Sequence, residues 1–155
     1  MTLEEELRSE RISHLDLSEY SQVSGNTTVR ETLAAMREAG CNVCLIVDEG
    51  SLVGVFTDRD VLRKVATRPE TWDQPIREFM TPNPISVRPD TSAAEALLLM
   101  DSSKFRNLPV VSESGEVCGN MTHRAIIQYL AGRYPIEVLN QPPKLDQFPR
   151  KAEGG

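Results

Sequence analysis

Thr27-Thr28-Val29-Arg30-Glu31-Thr32-Leu33 returns 64 residues later as Thr91-Ser92-Ala93-Ala94-Glu95-Ala96-Leu97. The offset continues through Met36 and Met100 to Val47 and Val111, then to Glu49 and Glu113. One inserted residue near Ser114 shifts it to 65. Gly50 then meets Gly115, Gly54 meets Gly119, Thr57 meets Thr122 and Arg59 meets Arg124. Identities kept in that order, with one gap beside a glycine turn, mark an internal duplication, and the repeated unit decides the fold.

Each copy reads alike. Asn26 and Asp90 are helix N-cap types with glutamate following in the first turns. Apolar residues then recur at helical spacing, as Val29, Leu33 and Met36 or as Ala93, Leu97 and Met100. An apolar run too short for a helix comes next, Val43 to Val47 or Leu108 to Val111. It ends at an acidic-glycine turn and is followed by a second short run, Leu52 to Phe56 or Val117 to Met121, which together predict a hairpin. Thr57 and Thr122 are each placed to cap a second helix carrying Val61, Leu62 and Val65, or Ile126, Ile127 and Leu130. Short lead strands fall at Gln22-Val23 and Ile85-Ser86-Val87. The fold class is therefore mixed, α+β or α/β. Units this small cannot bury both faces of their strands alone, so two are expected to pack sheet to sheet.

The expected organisation is an N-terminal arm over 1–14, a first repeat over 15–68, a linker over 69–78, a second repeat over 79–133 and a tail over 134–155. The arm predicts a charged helix from Leu3 to Ile12. The proline-rich linker predicts a single turn at Pro75-Ile76-Arg77-Glu78-Phe79-Met80 with proline in the first helical position. Trp72 is expected to pack this linker. The tail, with Pro142, Pro143 and Pro149, predicts an extended segment that lies on a neighbour through Ile136, Val138 and Leu139.

Composition narrows the function. The 155-residue chain carries a formal net charge of −6 and only 5% aromatic residues. That argues against a large phosphate-backbone footprint and against base-stacking platforms, so no nucleic-acid partner is expected. The acidic N-terminus lacks an apolar signal core, and the longest apolar run, Ala96 to Met100, is far short of the ~20 residues of a spanning helix. No membrane partner is expected. Three cysteines without framework spacing fit a reducing cytoplasm.

The chemistry concentrates in Gly54-Val55-Phe56-Thr57-Asp58-Arg59-Asp60, where a strand ends and a helix opens. Glycine lets a ligand approach the backbone, Thr57 offers a hydroxyl beside free amides, and Asp60, in the same turn, can accept from both hydroxyls of a ribose. On local features alone the pair reads as a capping box with Asp in place of Glu. The second copy, Gly119-Asn120-Met121-Thr122-His123-Arg124-Ala125, keeps the threonine but has alanine where Asp60 stands. Cys41-Asn42-Val43-Cys44 has the spacing of a redox or half-zinc site, yet on a strand its thiols would face opposite ways. His14 and His123 have no nucleophile arranged beside them, so no catalytic residue, metal ligand or enzyme activity is assigned.

Phe79-Met80-Thr81-Pro82-Asn83-Pro84-Ile85, Arg106-Asn107-Leu108-Pro109-Val110-Val111 and the Gly54–Asp60 stretch together resemble a tandem pair of cystathionine-β-synthase-type (CBS) domains, the Bateman module. The resemblance covers roughly Leu15 to Arg133. It implies two βαββα repeats related by a pseudo-two-fold axis, with two clefts between them that hold adenine nucleotides or other adenosyl ligands. It gives Thr57 and Asp60 the ribose and phosphate motif, and places Cys41, Asn42 and Val43 along the adenine with Thr27 close by. Arg106 and Arg124 would take phosphates, with Arg59 a further candidate. Ala125 leaves the second cleft without its carboxylate. The implied function is a non-catalytic, cytoplasmic regulatory module that senses AMP, ADP or ATP. It would act as a homodimer on an unidentified effector protein. The alternative is an interaction module whose clefts stay empty.

Overall fold

A computed structural model describes residues 2–133; the expected tail and its apolar residues lie outside them. The chain begins with α1 (Leu3–Ser9) and a single 3-10 turn, then runs β1 (Ser21–Val23), α2 (Val29–Ala39), β2 (Val43–Asp48) and β3 (Ser51–Thr57). A helix follows in two parts, α3 (Asp58–Asp60) and a π turn over Val61–Val65 closed by the Ala66 N–H on the Val61 carbonyl at 2.8 Å. After two 3-10 turns come β4 (Thr81–Pro82), α4 (Ala93–Ser103), β5 (Asn107–Val111), β6 (Val117–Thr122) and α5 (His123–Arg133).

The duplication is visible in the register. The β2–β3 and β5–β6 hairpins are antiparallel, and the pair Cys44 and Phe56 corresponds to Leu108 and Met121. Each hairpin shifts register at the same place, between Ile46 and Val47 or between Val110 and Val111. Both helices after the lead strand bury the same stripe: Val29, Thr32 and Met36 on α2, Ala93, Ala96 and Met100 on α4. Thr32 and Ala96 belong to that stripe although apolar periodicity alone selects Leu33 and Leu97, which are half-buried. The lead strand β1 pairs parallel with β2, whereas its counterpart in the second half is a single parallel bridge from Val87 to Val110.

The segments before the repeats are exchanged. Ile12 and Leu15 lie in the core of the second repeat with Met100, Leu108 and Met121. Ile76, Phe79 and Met80, one period later, pack into the core of the first with Val29, Ile46 and Phe56. Backbone bonds follow: β4 adds to the edge of β3, and the Asn120 N–H on β6 donates to the Leu17 carbonyl at 2.9 Å. Each hydrophobic core is thus completed by chain that leads into the other repeat, so neither repeat buries its core alone.

Four local expectations are corrected. The helix caps are Thr28 and Ser92, two residues beyond Asn26 and Asp90. Each hydroxyl accepts from the amide three residues on, Glu31 or Glu95, at 3.1 Å. Asn26 instead accepts from Arg77 Nη1 at 2.8 Å. Pro75 caps its 3-10 turn (Ile76–Glu78) from outside in an extended conformation, because it bridges Thr28. The arm helix stops at Ser9, since Glu10 turns extended to accept from the Ala93 N–H at 2.7 Å. The second helix of the first repeat departs from α geometry at its π turn. Trp72 packs the linker as expected, its indole N–H donating to the Val65 carbonyl at 2.8 Å.

Candidate functional site

A cleft of about 480 Å³ opens between the end of β3 and the segment that leads into β5. The first repeat supplies Val55, Thr57, Asp58, Arg59, Asp60, Leu62 and Arg63. The chain just beyond β4 and the second repeat supply Pro84, Ile85, Lys104, Phe105, Arg106, Asn107 and Pro109, and Thr81 of β4 joins them. Its volume falls in the range of small-molecule sites.

The motif is held by its own hydrogen bonds. Asp60 Oδ2 accepts from the Thr57 N–H at 2.9 Å and from the Thr57 hydroxyl at 3.3 Å, while the Asp60 N–H donates to that hydroxyl at 3.4 Å. This is the capping box of the local reading. Asp60 Oδ1 pairs with Lys64 Nζ at 3.2 Å, and Lys64 also donates to the Phe79 carbonyl at 2.8 Å. The carboxylate is 14% exposed on its side chain. A carboxylate offers about four acceptor positions, so after these three contacts one remains on Oδ1, and a diol would take the second by displacing the long Thr57 hydroxyl contact.

The charge of the cleft opposes that of the chain. Arg59, Arg63, Lys104 and Arg106 line it against Asp58 and Asp60, while the whole protein carries −6. Apolar surface accompanies the charge: Leu62 from the first repeat and Ile85 and Phe105 from the opposing side, all exposed large hydrophobics, line the same cleft. The arrangement can hold a ligand with a flat apolar part, a vicinal diol and an anionic end.

The sequence-derived residues are only partly brought together. Thr57, Arg59, Asp60 and Arg106 line the cleft. Cys41, Asn42 and Val43 do not; their place is taken by Phe105, Arg106 and Asn107, the same segment one period later. Cys41 and Val43 are buried, and the Asn42 carbonyl accepts from the Asp58 N–H at 3.0 Å. Thr27 sits apart, bonded to Ser24 and accepting from the Ile76 N–H at 2.7 Å. Arg124 lies beyond β6, 3.8 Å from Glu19, whose other oxygen accepts from the Thr122 hydroxyl at 3.3 Å. Gly54 and Gly119 serve the chain rather than a ligand: a Cβ at Gly54 would strike the Met80 side chain, and one at Gly119 would sit 2.5 Å from Leu17 Cβ.

Sequence reasoning missed Arg63, Lys64 and Lys104, which carry no motif of their own. The thiols are free; burial pushes Cys44 up to about 11, while Cys118 is exposed. Among the described residues no group of three histidine, cysteine or carboxylate side chains is placed to hold a metal ion, and no helix is long and apolar enough to cross a membrane.

The CBS domain model matches residues 16–67 and 76–132. The chain belongs to the CBS-domain family. A CBS domain-containing protein of Arabidopsis thaliana, CBSCBSPB5, is 38% identical over 108 residues, covering 68% of this chain and 20% of the relative. The chain therefore spans about a fifth of the length of that relative. Among solved structures, CBSX2 in complex with AMP superposes with a TM-score of 0.69 at 25% identity, covering 80% of this chain and 98% of that one. The cytosolic domain of the Mg2+ channel MgtE in complex with ATP gives 0.67 at 30% identity, over 79% and 49%. The tandem CBS architecture and its mixed α/β class are thus shared with proteins crystallised around adenine nucleotides.

Proposed function

We propose that this CBS pair is a regulatory, non-catalytic module that binds an adenine nucleotide in the cleft between β3 and β5. The observation that carries the reading is the meeting of the Thr57–Asp60 motif of one repeat with Lys104, Phe105 and Arg106 of the other. Asp60 takes one ribose hydroxyl through its remaining acceptor position and the other in exchange for the Thr57 hydroxyl contact, and Thr57 faces the ribose-phosphate region. Arg59 and Arg106 offer charge-assisted bonds to phosphate. Leu62, Ile85 and Phe105 supply apolar area for the base. The AMP- and ATP-bound CBS structures support the same ligand class.

A ligand here touches both repeats, so its binding free energy biases how they pack, which is what a sensor requires. The output passes to a partner protein or a second copy of the chain. The rival reading is an interaction module with an empty cleft. It is favoured by one observation: Asp60 is already engaged by Thr57 and Lys64.

Calorimetric titration with AMP, ADP and ATP separates the two. Asp60→Ala is expected to cost ~1.5–3 kcal/mol of binding, the worth of hydrogen bonds to a charged group. Asp60→Asn keeps an acceptor for the Thr57 amide and controls for loss of the cap. Unchanged affinity in both variants contradicts the role of Asp60, and no heat with any nucleotide favours the empty module.

A further inference from the structure

Three of the four cations that line the cleft have no cationic counterpart in the other repeat. At the repeat offsets Arg59 corresponds to Arg124, but Arg63 corresponds to Gln128, Lys104 to Gly40 and Arg106 to Asn42. The retained cation, Arg124, is 3.8 Å from Glu19, and its charge helps hold the Asp16 carboxyl below the usual range, after the Ser18 hydrogen bonds. Within the cleft itself the carboxylates are partly satisfied internally, Asp60 by Lys64 and Asp58 by the Arg59 N–H at 2.8 Å. Lys64 offsets Asp60, so Arg59, Arg63 and Lys104 leave a positive excess over Asp58 along the cleft, which favours an incoming anion.

Lys104 provides an independent observation. It ends α4 in the left-handed region at φ 57°, where Gly40 ends α2 at φ 64°. Glycine adopts this conformation freely, and a side chain there is disfavoured. Of the described non-glycine residues at positive φ, Glu49, Asn83 and Lys104, only Lys104 lines the cleft, and it stands where the other repeat has glycine, which points from local strain to function.

We propose that the cleft discriminates by phosphate number. It takes a nucleoside di- or triphosphate in preference to the monophosphate or to a sulfonium-bearing adenosyl compound, with Arg63 and Lys104 as specificity determinants, and each chain takes one such polyanion. This rests on the nucleotide site proposed above and names its ligand class.

The test is calorimetry on the full chain with ATP, AMP, adenosine and S-adenosylmethionine at low and high salt. At low salt ATP is expected to bind at least about tenfold tighter than AMP or S-adenosylmethionine, at one per chain, with the gap narrowing as salt screens it. Lys104→Gln and Arg63→Gln are expected to weaken ATP about fivefold each and leave adenosine unchanged. Lys104→Gly is expected to raise the melting temperature while losing the same ATP affinity. A merely structural lysine would not weaken ATP when replaced. Equal affinities for ATP and AMP, or two equivalent ATP molecules per chain, overturn this inference and leave the nucleotide site standing. Binding of none of the compounds overturns both.

Discussion

The two repeats share their cores and differ at their clefts. Position by position, Val29, Met36, Ile46 and Phe56 are answered by Ala93, Met100, Val110 and Met121, all buried. At the cleft the match fails: Asp60 corresponds to Ala125, and three of four cations correspond to neutral residues. A duplicated core must keep filling the same volume, because voids and overpacking both destabilise. A binding wall has no such constraint. One copy can keep the ligand chemistry while the other keeps only the cap, as Thr122 does by accepting from the Ala125 N–H at 3.1 Å.

The sharpest way to break the symmetry of the cores is through the exchanged arms. Ile12 and Ile76 are each fully buried in the opposite repeat. Ile12→Ala and Ile76→Ala are each expected to cost ~2–5 kcal/mol in chemical denaturation. A neutral Ile12→Ala would mean that the arm is dispensable to the second core.

A smaller effect distinguishes the paired glycines. Gly119→Ala would place its Cβ 2.5 Å from Leu17 Cβ and 2.9 Å from the Leu17 carbonyl, neither of which can swing aside. A cost of ~1–3 kcal/mol is expected from such overpacking. Gly54→Ala meets only the flexible Met80 side chain and is expected to cost less, measured as the difference in denaturation midpoint. The reverse order would contradict the way the two arms cross their sheets.

The smallest effect is alkaline. Cys44 occupies the position of Leu108, and burial raises its pKa from 9.0 to about 11. The unfolded thiol ionises first, so the folded state holds the extra proton between these values. Stability is full below pH 9 and falls as pH rises toward 11, by at most ~1.4 kcal/mol per pH unit. Cys44→Ala is expected to remove that component of the pH profile; an unchanged slope would place the titrating group elsewhere.

Much of this was legible in the sequence. The offset of 64 residues, the hairpins and the Thr57–Asp60 capping box are local patterns, and local hydrogen bonding realises them. The caps slipped by two residues because Thr28 and Ser92, not Asn26 and Asp90, stand three before a glutamate. Cys41–Val43 and Phe105–Asn107 are equivalent by repeat, and the segment that lines the cleft at Thr57 and Asp60 is Phe105–Asn107. Only the crossing of the chain between repeats selects the second. Gly54 reads as a ligand approach, but what approaches it is Met80, and its counterpart Gly119 meets Leu17, residues distant in sequence whose contact no local pattern announces.

The most direct test of nucleotide binding in one cleft and not the other is an ATP titration of the full chain followed by backbone amide shifts. Thr57, Arg59, Asp60, Lys104 and Asn107 are expected to move together and saturate, while Thr122 and Arg124 stay still. Equal movement at Thr122 and Arg124, or none at Thr57 and Asp60 at saturating ATP, would contradict it.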